Sequence, residues 1–465
     1  MAYRRDGVAR NGFARILWIT QRAMSALCIR KYKEVMDDRA LATSIADGGR
    51  LRTLLLELWQ RTRMDWGFVT DRLAVTFRRE TWIGAHDRRF VSETLYGLVR
   101  NLRRVDLALE RGKRTKQAPR DLERLIALLV LEGQLDPARA AKLLPDLDWT
   151  AVASVDQAIA GERKPAARIA LAASLPDWLA SRLVADWGAE AEALALALNQ
   201  RAPMTVRANT LVTTRDALAA ELLAEKLETH AGRWSDTALV VDSRTNLFAT
   251  KPFTRGAFEA QDEGSQLLGE LATPSAAKPL VIDYCAGAGG KTLAIAARLG
   301  NRGRIVASDV DSGKLEELRR RARRAKVSNT RAVGIDEVAE LRGKADVVLV
   351  DAPCSGIGAL RRNPEARWRL REDELAGFAK RQREILGDAA KLVAPGGRLV
   401  YATCSLLACE NGEVVAALDR ELAAVPLAEV LDGERAAAFA RDGTFTATPH
   451  RHGTDGFFAA VLRHR

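Results

Sequence analysis

The stretch Leu280-Val281-Ile282-Asp283-Tyr284-Cys285-Ala286-Gly287-Ala288-Gly289-Gly290-Lys291-Thr292 passes from a short apolar run into a helical pattern through a series of small residues. Glycine at such a turn lets a ligand come close to the backbone, and the free N–H groups of the following helix face it. A nucleotide-like ligand is expected. A triphosphate-binding loop would need a glycine separated by four residues from Gly290-Lys291-Thr292, and Cys285 stands at that position. The dinucleotide fingerprint fails as well, because Thr292 occupies the place of its third glycine.

Outward from this loop, apolar runs at Ile305 to Ser308, Val347 to Val350 and Leu399 to Ala402 alternate with helical stretches. That alternation predicts a parallel, doubly wound α/β sheet from about residue 276 onward. Ligands of such sheets bind beyond the carboxyl ends of the strands, so the residues just after each run are the candidates. Asp309 follows the second strand, where a carboxylate can accept both hydroxyls of a ribose. Asp336 follows the strand-like run Arg331 to Ile335 and is placed on the adenine side of the same crevice. Each alone is more often a turn or cap residue than a ligand contact; their shared position after successive strands reverses that and favours the ligand.

Two further strand ends carry cysteine: Asp351-Ala352-Pro353-Cys354-Ser355-Gly356, and Thr403-Cys404-Ser405. An isolated cysteine is usually a small hydrophobe, but two at neighbouring strand ends point to chemistry. All five histidines (His86, His230, His450, His452, His464) lie outside 276–440, which leaves a Ser-His-Asp triad without a base. Thiolate attack, with a carboxylate and Lys291 nearby, is the remaining nucleophilic chemistry. The rival is a metal held by Cys285, Cys354, Cys404 and Cys409; their spacing contains no Cys-x-x-Cys hook, so no metal is expected.

The whole chain has 465 residues, 47% hydrophobic, with 72 Lys plus Arg against 60 Asp plus Glu, a formal charge of +12. It is long enough for about three domains, and the charge favours a polyanionic partner. No apolar run is long enough to span a bilayer, no secretory signal is evident, and the few cysteines do not form a disulfide framework; a cytoplasmic monomer with no membrane partner is expected. Residues 1–50 read as a poorly ordered extension. Residues 51–200 read as a helical domain, in which Val91, Leu95, Leu98, Leu102 and Val105 form one apolar stripe. Between Arg100 and Arg120 its surface carries eight basic residues against Asp106 and Glu110, a solvated helix face or an RNA-binding one. Residues 201–275 read as a small mixed α/β segment, and 276–465 as the catalytic part.

These motifs resemble the RsmB/Nop/Sun family of RNA (cytosine-5) methyltransferases. Cys285 to Lys291 is similar to the family's cofactor loop, Asp351 to Gly356 to its Asp-Ala-Pro-Cys loop, and Thr403-Cys404-Ser405 to its nucleophile loop. Val206 to Leu211, Gln261 to Gln266, Arg361-Arg362-Asn363-Pro364 and Asp455-Gly456-Phe457-Phe458 resemble further family segments in the family's order. Gly84 to Val91, with Arg88 and Arg89, is similar to the NusB-like RNA-binding domain of the RsmB branch. One departure is Ala288, where the cofactor loop commonly has proline.

The resemblance implies a Rossmann-like domain that binds S-adenosyl-L-methionine through Cys285, Ala286, Gly287, Ala288, Gly289, Gly290, Lys291, Asp309, Asp336 and Asp351. It implies that Cys404 attacks carbon 6 of cytosine, that Asp351 bonds the ring near nitrogen 3, and that Cys354 assists release. The target base must leave its stack to be reached. Arg361, Arg362 and Asn363, with Arg88 and Arg89, are the candidates for holding RNA. Small-subunit (16S) ribosomal RNA is the expected substrate; transfer RNA methylation and a non-catalytic RNA-binding assembly factor are the alternatives.

Overall fold

The computed structural model describes residues 37–113, 117–242, 246–418 and 422–464. The chain forms two compact units, 1–162 and 163–465.

In the first unit, the helix Ala85–Gly112 buries Val91, Leu95, Leu98 and Val105 of the expected stripe, while Leu102 is only half-buried. Asn101, just before it, leaves helical geometry at φ −113°, ψ 15°, and its side-chain amide donates to the Gly97 carbonyl at 3.0 Å. The helix bends there because side chain and backbone compete for one acceptor. Residues 1–36 of the expected extension lie outside the described residues, but 37–47 are helical and bury Ala42, Ile45 and Ala46. Helical packing therefore starts before residue 51.

Helices between Pro165 and Leu198 belong to the second unit. Periodicity at 51–200 shows only that a segment is helical, not which core its apolar face joins. Leu179, Leu183, Leu194 and Leu198 are fully buried in one cluster with Ile357, Leu360, Leu406 and Leu407. The boundary expected near 200 is thus displaced to 162/163.

Next comes a four-stranded antiparallel sheet of β1 (Met204–Ala208), β2 (Thr229–Ala231), β3 (Ala238–Val241) and β4 (Phe258–Ala260), in the order β2-β3-β1-β4. Its core holds Val206, Leu239 and Phe258 with Leu218 and Leu222 of the helix Arg215–Ala224.

The large sheet contains the expected parallel strands β5 (Leu280–Asp283), β6 (Arg304–Ser308), β7 (Thr330–Val333), β8 (Ala345–Asp351) and β9 (Val393–Thr403). It continues through β10 (Leu422–Ala424), β11 (Ala440–Arg441), β12 (Thr444–Ala447) and β13 (Phe457–His464), with β13 antiparallel to β9. The order β11-β12-β13-β9-β8-β5-β6-β7 makes the sheet mixed, with a Rossmann-like parallel part. From β5 the chain winds outward to β6 and β7, then returns to β8 and β9 on the other side. The strand order reverses between β5 and β8, and a crevice opens beyond their carboxyl ends.

Candidate active site

Three backbone hydrogen bonds shape the loop after β5. Tyr284 N–H donates to the Leu349 carbonyl, Ala286 N–H to Ser308, and Gly289 N–H to Ala286, at 2.8, 2.8 and 2.9 Å. Gly289, at φ +85°, lets the chain turn into the helix Gly290–Arg298; a Cβ there would stand 2.6 Å from Leu318 Cγ. Glycine is required on both counts. Asp309, after β6, accepts from the Gly287 N–H at 2.9 Å and so holds the loop from the neighbouring strand.

This loop walls a cavity of about 550 Å³. Cys285, Ala286, Gly287, Ala288, Gly290 and Lys291 line it with Asp351, and Thr205 and Gln261 face them from the small-sheet side. Gly289 packs behind the loop instead, and Asp336 sits exposed in the first turn of the helix Ile335–Val338. Asp283, which the sequence reading passed over, also lines the cavity. One of its oxygens accepts from Thr292 Oγ1 at 2.6 Å, the other has no protein partner, and burial pushes the carboxyl up to about 7. A polar ligand in the cavity would complete it.

Lys291 Nζ donates to Asp351 Oδ2 at 2.5 Å. Burial works against the ammonium charge, but the Asp351 carboxylate outweighs it and holds the lysine above its ordinary value. The Cys285 thiol is pushed up by burial and by the nearby carboxylates of Asp283, Asp351 and Asp309, which makes it a poor nucleophile.

The two cysteine loops stand side by side because β8 and β9 are neighbours. Ala352 N–H donates to the Ala402 carbonyl and Gly358 N–H to the Cys404 carbonyl, both at 2.8 Å. A Cβ on Gly358 would lie 2.2 Å from the Gly456 carbonyl oxygen, so no other residue fits there. The result is a separation of 3.3 Å between the sulfurs of Cys354 and Cys404, both half-buried. The contact with Cys404 and burial push the Cys354 thiol up. Cys409 lies in the turn Ala408–Glu410 against the helical layer. Among the described residues no cluster of three or more His, Cys, Asp or Glu is placed to hold a metal.

Arg361 and Arg362 are placed differently from the RNA-facing loop expected of them. Arg361 is buried and donates to the Gly453 and Thr454 carbonyls at 2.8 and 2.9 Å. Arg362 bridges Asp262, at 2.9 Å, and Asp455. Asp455 is fully inside, and burial together with Asp262 pushes its carboxyl up. Both guanidinium groups therefore bind the loop to distant segments, and Asn363 beside them is half-buried. In the first unit, Arg88 donates to the Ile83 carbonyl at 2.9 Å and Arg89 pairs with Asp38 at 2.7 Å. Arg104 and Lys113 of the basic run are taken up by Asp156 and Glu123, each at 2.7 Å. Arg114 and Lys116 lie outside the described residues.

Sequence reasoning also missed Arg321 and Glu410. Arg321, on the helix Ser312–Arg324, donates to the Ala288 carbonyl at 2.8 Å and to Glu259 of β4 at 2.9 Å. Glu410 is a completely buried carboxylate between the cysteine loops. Only the repeated Cys-Ser pair, at Cys354-Ser355 and Cys404-Ser405, hinted at a shared partner.

Residues 272–463 match the family described as "16S rRNA methyltransferase RsmB/F", and 175–247 match its ferredoxin-like domain. The second match begins inside the helices assigned above to the catalytic unit. A Synechocystis sp. protein called "Probable ribosomal RNA small subunit methyltransferase B" is 31% identical over 81% of this chain and 91% of its own length. The Bacillus subtilis protein of the same name is 32% identical over 64% of this chain and 68% of its own. Among solved structures, "Crystal Structure of PH0851" superimposes with a TM-score of 0.69 and 25% identity, covering 88% of this chain and 97% of that one. The chain belongs to the RsmB/F family of methyltransferases.

Proposed function

We propose that the protein methylates carbon 5 of a cytosine in 16S ribosomal RNA, with Cys404 as nucleophile and S-adenosyl-L-methionine as methyl donor. The observation that carries this reading is the Cys354–Cys404 pair, 3.3 Å apart, with Cys354 three residues beyond Asp351, which ends β8 and pairs with Lys291. An aromatic carbon gains enough nucleophilicity only after covalent addition breaks its conjugation. Cys404, in the loop similar to the family's nucleophile loop, attacks carbon 6. Asp351, about one-third exposed, bonds the ring near nitrogen 3 by accepting from the neighbouring amino group, and the Lys291 ammonium paired with it offsets the charge that the attack places there. After methyl transfer Cys354, having given its own proton to solvent, takes the carbon 5 proton as a thiolate; the electron pair of that bond restores the ring double bond and Cys404 leaves as a thiolate. The names of the relatives support ribosomal RNA as the substrate.

The residues present fit the cofactor: a glycine loop open to the cavity, an unpartnered buried oxygen on Asp283, and Asp309 beside Gly287. When bound, S-adenosyl-L-methionine supplies an electrophilic methyl group. Cys285 to Lys291 and Asp309 would hold it, with Asp336 toward the adenine. Asp309→Ala removes the ribose acceptor and the tie to Gly287, and should weaken cofactor binding about tenfold to a hundredfold in calorimetry; an unchanged Kd would remove Asp309 from the site. The helical unit, with Arg88 and Arg89, supplies affinity for RNA phosphates rather than chemistry.

Mapping 5-methylcytosine in total RNA tests the function. Cells lacking the protein should lose the mark at a 16S position and regain it on complementation. Loss confined to transfer RNA would overturn the substrate, and an unchanged map would overturn the enzyme.

A further inference from the structure

The two cysteine loops share one anchor. Glu410 Oε1 accepts from the Ser355 backbone N–H at 2.8 Å and from Gln382 Nε2 at 3.0 Å. Its Oε2 accepts from Ser355 Oγ and from Ser405 Oγ, each at 2.5 Å. Ser355 directly follows Cys354, and Ser405 directly follows Cys404. The turn that carries Glu410 is fixed in its own right, since Tyr401 Oη donates to the Glu410 carbonyl at 2.6 Å. Gln382 extends the network from the helix Leu375–Ala390 to the Pro353 carbonyl, at 3.0 Å. A carboxylate with no exposure needs each of its oxygens compensated, and four neutral donors do that here.

We propose that Glu410 is a positioning residue that holds Cys354 and Cys404 as one reactive pair and keeps their roles distinct. The proposal rests on the reading of Cys404 as the nucleophile. Two physical effects follow from the geometry. First, both Cys-Ser steps are tied to one rigid group, so neither sulfur can drift from the other without breaking a charge-assisted hydrogen bond. Second, the anion sits against the Ser355 N–H, one peptide from Cys354, and opposes a second negative charge on that sulfur. Its charge adds to the contact with Cys404 and to burial in pushing the Cys354 thiol up.

The test uses the full chain with Glu410→Gln, which keeps the size of the side chain and can still meet the serine hydroxyls, because they can rotate to accept. Thermal melting, kcat, the KM for S-adenosyl-L-methionine, and the rate of iodoacetamide alkylation of each cysteine against pH, read by peptide mass spectrometry, are compared with the unaltered protein. The expected result is a melting curve close to the original, an unchanged KM, and a kcat lower by about a hundredfold, the scale of a small misplacement of reacting groups. In the unaltered protein Cys404 should be alkylated ahead of Cys354; in Glu410→Gln the two profiles should converge. A second variant, Ser355→Ala, keeps the carboxylate and removes one donor. It should lower kcat by about tenfold and leave Cys404 the first cysteine alkylated. A full kcat in Glu410→Gln, or a loss of kcat with the alkylation order intact, overturns the proposal. Should Glu410→Gln not fold, an alkylation order in Ser355→Ala that favours Cys354 overturns it, and the expected order supports it. Methylation that persists in Cys404→Ala would instead overturn the nucleophile assignment, and the alkylation profiles would distinguish that failure from this one.

Discussion

Incubated with cofactor and RNA, Cys404→Ala should give neither methylated RNA nor a covalent complex, whereas Cys354→Ala should accumulate a complex that survives denaturing electrophoresis. The sulfurs lie only 3.3 Å apart, so position alone does not separate them. Timing does. In the proposed mechanism Cys404 acts before methyl transfer, because carbon 5 stays unreactive until a thiolate adds at carbon 6. Removing it should lower the rate by about three orders of magnitude or more, as losing a nucleophile does elsewhere. Cys354 acts afterwards, when the carbon 5 proton leaves and the bond to Cys404 breaks. Without it the methylated ring stays attached, and the slower band should require the cofactor. The opposite pattern, an adduct in Cys404→Ala and none in Cys354→Ala, would reverse the roles. Full activity in both variants would make the cysteines structural.

Removing residues 1–200 should prevent the catalytic unit from folding, whereas removing 1–162 should leave it folded with its cofactor affinity intact. Leu179, Leu183, Leu194 and Leu198 share a core with Ile357, Leu360, Leu406 and Leu407. At about 1.5–3 kcal/mol for each buried leucine, these four contribute about 6–12 kcal/mol. That equals most of the net stability of a typical domain, about 5–15 kcal/mol. The longer deletion also strands the fully buried Arg367, whose guanidinium donates to the Ala173 carbonyl and to Asn199 Oδ1, both at 2.8 Å. It would remove as well the supports of the nucleophile loop, where Trp187 Nε1 donates to the Leu406 carbonyl and Ala408 N–H to Asp186, at 2.9 and 3.0 Å. Circular-dichroism melting of the two fragments checks the difference, and equal midpoints would show that the helices stand outside the core. The shorter deletion should also raise the RNA Kd at moderate salt while cofactor affinity holds.

The parallel strands and the cysteine loops were legible because each is a local pattern: an apolar run, then small or reactive residues at its end. Ile305 to Ser308 falls within β6 and Val347 to Val350 within β8. What periodicity cannot encode is the partner of a face or of a charge. The helices at 165–198 look like their N-terminal neighbours in sequence, and it is their contact with distant residues such as Leu360 and Leu406 that shows which core they join. The antiparallel extension of the sheet escaped for a similar reason, since β11 and β12 are short and their pairing is set by β13. Arg361 and Arg362 read as an RNA-facing loop because two adjacent arginines are usually solvated. Their acceptors, Asp262, Gly453, Thr454 and Asp455, lie about a hundred residues away in sequence. Glu410 was hidden in the same way, as a carboxylate whose donors come from three separate segments.

Ala288 takes the place of a residue whose ring would restrict the cofactor loop even in the unfolded chain. Here the restriction comes from outside: Arg321 holds the Ala288 carbonyl, and Glu259 of the small sheet holds Arg321. A constraint of that kind exists only while both sheets are folded, so the entropy of the loop is tied to the integrity of β4. Fraying of the small sheet frees the loop. By the reciprocity of linked equilibria, any ligand that orders the loop also suppresses that fraying, and cofactor binding becomes a stabiliser of a sheet that contributes no strand to the cofactor's own fold.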